Sequence, residues 1–121
     1  MRIIKITVNN NEYEFVCDSR DTRYGFAHDC NLMINGVEYA IAHCYYLNRT
    51  WESWTYQSVC INALSLVINE YVEQEKSAYK DMHGYKKMTA KRTADFENEL
   101  KERTRYKEYN ECMDKLRYHL H

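Results

Sequence analysis

Proline is absent from this chain of 121 residues, and glycine occurs only three times. Linkers and low-complexity segments are rich in these two residues, so their scarcity argues against a flexible linker or a second domain. The longest nearly apolar run, residues 63–68, is far shorter than the ~20 residues that a membrane-spanning helix needs. The first residues also lack the apolar core of a secretory signal peptide. We therefore expect one soluble, cytoplasmic domain with no membrane contact.

An excess of charge of one sign is also missing, because the formal net charge is only -1. A protein that coats nucleic acid would be strongly basic, and a mimic of DNA would be strongly acidic. The five cysteines include no C-x-x-C pair, so neither a zinc ribbon nor a thioredoxin-like motif is expected. Each cysteine lies in an apolar run, where a free thiol packs as a small hydrophobic group in a reducing cytosol.

The motifs of common enzyme classes are missing as well. The sequence contains no G-x-S-x-G, no P-loop, no G-x-G-x-x-G and no H-E-x-x-H segment. Most carboxylates stand beside basic residues on predicted helix surfaces, which is typical of a solvated face. We therefore predict a protein that is not an enzyme and that has no cofactor.

Two hairpin patterns are present in residues 1–47. In the first, a two-residue turn at Asn10-Asn11 pairs Val8 with Tyr13 and places the alternate apolar side chains on one face. Asparagine tolerates the positive φ of a type I′ turn, which suits this position. A sheet with one apolar face needs a covering layer, and the segment after residue 47 can supply it.

The second hairpin turns at Asn35-Gly36, the strongest short hairpin signal in the chain. Strict alternation from this turn pairs Cys30 with Ile41 and puts His28 directly opposite His43. Two cross-strand imidazoles beside the Cys30 thiol would suit zinc or another late transition metal. A metal-dependent enzyme at His28 and His43 is therefore one alternative function. Histidines that are simply hydrogen-bonded at the sheet margin are the competing interpretation.

A long helical pattern covers residues 51–83, with apolar pairs recurring at helical spacing and a polar stripe opposite them. Thr50 is the expected N-cap, and Gly84 is the expected residue just beyond the last turn. Such a helix would be ~50 Å long, whereas strands of this size reach only ~25 Å. The helix should therefore overhang the sheet, and its uncovered apolar surface predicts a homodimer.

Two shorter amphipathic helices are predicted in residues 89–120. Thr89 caps the first, which carries Phe96 and Leu100. The second places its apolar side chains on one stripe: Tyr106, Tyr109, Met113, Leu116 and Leu120. The predicted fold is therefore α+β, with a four-stranded antiparallel sheet of two hairpins on one long helix, followed by two C-terminal helices.

Arginine and aromatic residues cluster near the predicted start of the long helix. Arginine grips phosphate, aromatic faces stack on bases, and a helix N-terminus attracts negative charge. A nucleotide or nucleic acid is therefore a second alternative ligand, although pairing of the arginines with nearby carboxylates is the simpler interpretation. The twelve tyrosines also favour contact with a partner, since tyrosine is enriched at interfaces. The candidate binding residues are Arg20, Arg23, Tyr24, Tyr45, Tyr46, Arg49, Trp51 and Trp54.

One further segment of the chain is His43-Cys44-Tyr45-Tyr46-Leu47-Asn48-Arg49-Thr50-Trp51-Glu52, which continues to Tyr56-Gln57-Ser58-Val59. It resembles a recurring stretch of small proteins from phages, prophages and gut Firmicutes, and His83-Gly84-Tyr85-Lys86-Lys87 is similar to the same group. The resemblance implies an inhibitor of host defence, such as an anti-CRISPR protein, whose partner is a host protein or nucleoprotein in the host cytosol. It carries over no catalytic or binding residue. We therefore expect a non-enzymatic phage-type binding protein.

Overall fold

A computed structural model describes residues 1–23, 25–46 and 56–119, without the side chains of Tyr46 and His119. Its strands form one antiparallel sheet in the order β1-β2-β3-β4, which confirms the predicted α+β class. In the described ranges, no helix has the length and apolar character needed to cross a membrane. The elements are β1 Arg2–Val8, β2 Asn11–Thr22, β3 Gly25–Ile34, β4 Val37–Tyr46, α1 Gln57–His83, α2 Ala90–Leu100 and α3 Thr104–His119.

The first hairpin turns one residue earlier than its sequence pattern indicated. Asn9 and Asn10 form the turn with positive φ values of 51° and 66°, and Val8 pairs with Asn11 rather than with Tyr13. The predicted register was therefore wrong by two residues. A slip of two residues keeps every side chain on its face, because the side-chain period of a strand is two. The buried face is the predicted one, with Ile4, Ile6, Val8, Tyr13, Phe15 and Cys17.

The second hairpin turns at Asn35-Gly36 as predicted, but the β3–β4 ladder contains a bulge. The register shifts between Leu32 and Met33, so Leu32 lies opposite Ala40 and not opposite Tyr39. One extra residue in a strand sends every later side chain to the other face. The prediction was therefore wrong about the faces of β4 beyond the turn. Ala40, Ala42 and Cys44 face the helices, whereas Ile41, His43 and Tyr45 face away from them.

Two helices cover the same face of the sheet. α1 packs on β3 and β4, and α3 packs beside it on β1. The buried side chains of α1 over the sheet are Val59, Cys60, Ala63, Leu64 and Val67, and those of α3 are Tyr109, Cys112, Met113 and Leu116. The predicted stripe of the last helix is thus confirmed over its described part, with Cys112 added to it and Leu120 outside the described residues.

The long helix α1 begins at Gln57, and its 27 residues span about 40 Å. The expected N-cap Thr50 and the first predicted turn lie outside the described residues. The predicted end is confirmed, because Gly84 is left-handed with φ 66° and ψ 27°. The Tyr85 N–H then donates to the Lys80 carbonyl at 2.9 Å, a bond that closes the last turn.

The far half of α1 is covered by the chain's own α2. As predicted, the Thr89 hydroxyl caps α2 by accepting a hydrogen bond from the Arg92 backbone N–H. Phe96 and Leu100 of α2 are buried against Tyr79 of α1, with the Phe96 and Tyr79 ring centroids 5.4 Å apart. The chain after α1 therefore folds back so that α2 packs on the long helix. This packing removes part of the apolar surface on which the homodimer was predicted, and the homodimer stays a prediction.

The buried carboxylate of Glu108 fastens α3 to the first hairpin. Glu108 is 7% exposed and accepts hydrogen bonds from the Tyr13 hydroxyl and, at 2.7 Å, from the Asn11 side-chain amide. Burial and the Glu108 carboxylate raise the pKa of Tyr13, so its phenol stays protonated. The Tyr13 ring also meets Tyr109 edge-on, with centroids 6.4 Å apart. Polar and aromatic contacts thus hold the last helix in place.

Candidate functional site

The face of the sheet that points away from the helices carries a row of four side chains, three of which are apolar. The strand registers place Ile3, Val16, Asn31 and Ile41 side by side in one row across all four described strands. Ile3 is 46% exposed and Ile41 is 49% exposed, and Val16 between them is half-buried. We term this row, with the polar side chains on either side of it, the open face.

An ionic cluster flanks the apolar row on one side. The Asp29 carboxylate accepts hydrogen bonds from Arg20 Nε at 2.9 Å and from His43 Nδ1 at 2.5 Å. Burial works to raise the pKa of Asp29, but the hydrogen bonds from His43 and Arg20 outweigh it and lower that pKa below its usual range. Arg20 also donates to the Tyr45 hydroxyl at 3.3 Å and lies 5.5 Å from the centre of the Tyr45 ring. These contacts orient Tyr45 while leaving it 65% exposed.

A second ionic cluster flanks the row on its other side. Lys5 lies 3.3 Å from the Glu14 carboxylate and 3.6 Å from that of Glu12. Next to this cluster, the Asn31 amide donates to Glu38 at 3.0 Å, and the Asn31 side-chain oxygen is buried with no hydrogen-bond partner among the described residues. An apolar centre between polar margins is the usual composition of a protein–protein interface.

The open face continues around the β4 edge onto α1. A groove of about 450 Å³ lies between this edge strand and the helix. Ile41 and Tyr45 form its sheet side, and Leu66, 49% exposed, forms its helix side. The groove and the apolar row therefore share Ile41, so a partner that covers one also reaches the other. The full lining is Ile41, Ala42, His43, Tyr45, Asn62, Ser65, Leu66 and Asn69.

The structure brings together only part of the predicted arginine and aromatic cluster. Arg20 and Tyr45 are in contact, and the Arg20 charge is paired with Asp29 of β3. Arg23 lies in the turn after β2. The remaining candidates fall outside the described residues (for Tyr46, outside the described side chains) and stay predictions: Tyr24, Tyr46, Arg49, Trp51 and Trp54.

A cleft elsewhere on the surface gathers several of the twelve tyrosines. It has a volume of about 330 Å³ and lies between β4, α1 and α3. Arg105 lines it and accounts for its positive charge, and a hydrogen bond with Tyr109 raises the pKa of Arg105. Glu70 and Glu75 line the same cleft, so a phosphate group would meet negative charge there as well. The other lining residues are Tyr39, Val67, Tyr71, Gln74 and Tyr109.

The predicted pairing of His28 with His43 is wrong. The bulge in the β3–β4 ladder puts His28 opposite Cys44 and Asp29 opposite His43, so the two imidazoles lie on different faces of the sheet. His28 is 2% exposed, and its Nδ1 lies 2.6 Å from the Ser19 hydroxyl. Its ring packs on Tyr56 with centroids 4.5 Å apart. A metal site that combines both histidines has no geometric basis.

Cys30 also belongs elsewhere, in a cluster of three buried thiols. The sulfur atoms of Cys17, Cys30 and Cys60 all lie within 4.8 Å of one another, and each residue is 0% exposed. The Cys17 and Cys60 sulfurs are 3.3 Å apart, and Cys17 and Cys30 are direct cross-strand partners. Hydrogen bonds from Cys30 and Cys60 lower the pKa of Cys17. The contacts with Cys17, together with burial, raise the pKa values of Cys30 and Cys60.

Reasoning from spacing missed this cluster because its members are far apart in sequence. The sequence did hold one usable signal, since Cys17 and Cys30 both fall on the buried faces of the two predicted hairpins. Comparisons of the chain with protein-family models, with curated proteins and with solved structures found no match. The open face and the thiol cluster are the features of the described residues that bear on function.

Proposed function

We propose that the protein acts by binding another protein through its open face and the adjoining β4 edge. The observation that supports this most directly is the row from Ile3 to Ile41, where two apolar side chains about half exposed and the half-buried Val16 lie between two ionic clusters. Burying such a row against a partner would stabilise a complex by about 25 cal/mol for each Å² of apolar surface removed from water.

Tyr45 is the side chain best suited to anchor such a complex. It is 65% exposed, yet Arg20 holds its hydroxyl and faces its ring. A large aromatic group that is already oriented loses little conformational entropy on binding, which is why tyrosine is enriched among residues that dominate binding energy.

The β4 edge adds a second mode of contact. As a terminal strand of the described sheet, it can pair its backbone with an extended segment of a partner. Leu66 and Ile41 would then contact alternate side chains of that segment along the groove. Backbone pairing would supply affinity, and these two side chains would supply selectivity.

We propose, from the resemblance to small phage proteins, that the partner is a host defence protein or nucleoprotein, such as a CRISPR effector. Occupying a surface of that partner would inhibit it without any chemical step. This identity of the partner rests on the resemblance, whereas the binding surface rests on the residues described above.

Ile41→Arg and Tyr45→Ala test the binding surface, with Met82→Arg as the matched control. Met82 is 74% exposed on α1, outside the open face and its groove, so the control adds the same charge elsewhere. We expect each open-face variant to weaken binding to an isolated host effector by about 2 kcal/mol, or ~30-fold, while Met82→Arg binds like the wild type.

Binding would be measured by biolayer interferometry against purified effectors, and inhibition by phage plaque counts on hosts that carry each defence system. If the open-face variants bound and protected phage as well as the wild type does, the proposed surface would be wrong. A complex that weakens steeply with salt and forms with oligonucleotides alone would favour the nucleic-acid alternative.

A further inference from the structure

The three thiols of Cys17, Cys30 and Cys60 have no role in the proposed binding surface, because they lie in the core on the opposite side of the sheet. Two come from neighbouring strands and the third from the first turns of α1, so the fold holds them at three separate points of the backbone. Buried cysteine often acts only as a small hydrophobic group, but such residues need not place their sulfur atoms together.

We propose that Cys17, Cys30 and Cys60 form a three-coordinate thiolate site for one soft metal ion, Cu(I). Thiolate is the ligand that Cu(I) prefers, and three sulfurs around one centre provide trigonal coordination. Each bound cysteine releases its thiol proton to the buffer and donates a sulfur lone pair to the ion, so one Cu(I) displaces three protons and the site carries a net charge of -2. The ion stays Cu(I), so the site needs no oxidant or reductant.

The spacing of the sulfur atoms suits a metal better than a disulfide. Metal–sulfur bonds of ~2.3 Å in a trigonal site place the sulfur atoms about 4.0 Å from each other. All three pairs already lie within 4.8 Å, and the closest pair, Cys17 and Cys60 at 3.3 Å, needs to open by only about 0.7 Å. A disulfide would need the same pair to close by about 1.3 Å, to ~2.05 Å.

The number of ligands distinguishes Cu(I) from zinc. Structural zinc sites are almost always four-coordinate, and those with three protein ligands complete the set with water. Among the described residues, no histidine, cysteine or carboxylate joins this cluster as a fourth ligand, and all three cysteines are buried. Arg2, the cross-strand partner of Cys17, brings one positive charge toward the resulting anionic centre.

The test is a titration of the reduced, full-length protein with Cu(I) under nitrogen, in competition with bicinchoninate as a chromophoric chelator. We expect one equivalent to bind, with a sulfur-to-copper absorption band in the near ultraviolet and three sulfur neighbours in the copper X-ray absorption spectrum. Zn(II) added under the same conditions should bind far more weakly than Cu(I).

Serine variants of the three cysteines identify the ligands. Cys17→Ser, Cys30→Ser and Cys60→Ser should each weaken Cu(I) binding by more than ~100-fold, the upper end for groups that only support a ligand. Cys112→Ser is the matched control, because Cys112 is also 0% exposed but lies outside the cluster. It should bind Cu(I) like the wild type.

If the cluster variants fail to fold, measurements on the wild type still test the proposal. They are the stoichiometry of Cu(I) binding, the spectrum of the Cu(I) complex and a higher melting temperature with Cu(I). The proposal is overturned if the wild type binds no Cu(I) in competition, if Zn(II) binds as tightly, or if folded Cys60→Ser keeps full affinity. Loss of two mass units from the wild type in air, without Cu(I) binding under nitrogen, would show a disulfide pair and overturn it as well.

Discussion

Breaking the contact between Tyr13 and Glu108 should destabilise the protein more than breaking any exposed ion pair. Tyr13→Phe removes one hydroxyl that is 0% exposed and leaves the Glu108 carboxylate with the Asn11 amide as its remaining described side-chain donor. A buried hydrogen bond to a charged group is worth 1.5–3 kcal/mol, so we expect a loss of about 2 kcal/mol in the free energy of unfolding.

This loss converts into a measurable change in melting temperature. For a chain of this length the unfolding entropy implies a shift of about 4 °C per kcal/mol, so Tyr13→Phe should melt about 8 °C below the wild type. Glu108→Gln should lower the free energy of unfolding by less than Tyr13→Phe does, because the glutamine amide oxygen still accepts one of the two hydrogen bonds. Urea unfolding followed by circular dichroism gives the free energies, with the slope m checked for constancy.

Glu111→Gln is the matched control on the same helix. The Glu111 carboxylate lies 3.9 Å from Lys115 at the surface, and such pairs contribute less than about 1 kcal/mol. The double variant of Tyr13 and Glu108 should show a coupling energy of about 1.5 kcal/mol. Additive effects of the two changes, or a loss no larger than in Glu111→Gln, would refute the assignment of this contact as the fastening of α3.

The raised pKa of Tyr13 adds a pH dependence with a definite sign. Above about pH 10 the unfolded phenol loses its proton, whereas the folded phenol keeps it. The unfolded state then binds fewer protons than the folded state, so stability falls as the pH rises past 10. This alkaline loss should be smaller in Tyr13→Phe than in the wild type, and equal losses in the two proteins would contradict it.

Three further changes test other parts of the fold. Asp29→Asn should be less stable than the wild type near pH 7 in urea unfolding, and the difference should begin to shrink below about pH 4 and disappear only as the pH falls through the lowered pKa of folded Asp29. Gly84→Ala should lose about 1 kcal/mol in the same assay, because φ at this position is +66°. Phe96→Ala should expose the far half of α1, and sedimentation at rising concentration should then show more dimer than for the wild type, if α2 is what limits self-association.

Much of the fold could be predicted from local sequence signals, each of which depends on a single physical rule. Asn35-Gly36 and Gly84 fix a turn and a helix end through their backbone conformation, Thr89 fixes the start of α2 through its side-chain hydroxyl, and all three predictions were confirmed. The first hairpin could not be placed exactly by the same reasoning, because three asparagines in a row offer two equivalent turns. Since both turns put the same side chains in the core, the apolar pattern could not choose between them.

The open face could not be predicted because it depends on one extra residue in β4. Strict alternation would have sent Tyr39 and Ile41 into the core, under the helices. The bulge places Ala40 and Ala42 there instead, and small side chains let α1 approach the sheet closely. The thiol cluster was missed for another reason, because it needs α1 to bring Cys60 to two strands, which is tertiary information that no local pattern contains.

The bulge in the β3–β4 ladder also limits how much of this edge another strand can use. On the turn side of Ala40, the regular spacing of backbone donors and acceptors is interrupted, which hinders edge-to-edge association of copies of the sheet. On the other side, residues 41–46 continue without a register shift and present about 20 Å of regular backbone. A segment added to this edge would therefore be about six residues long, and longer segments would have to bend away at Ala40.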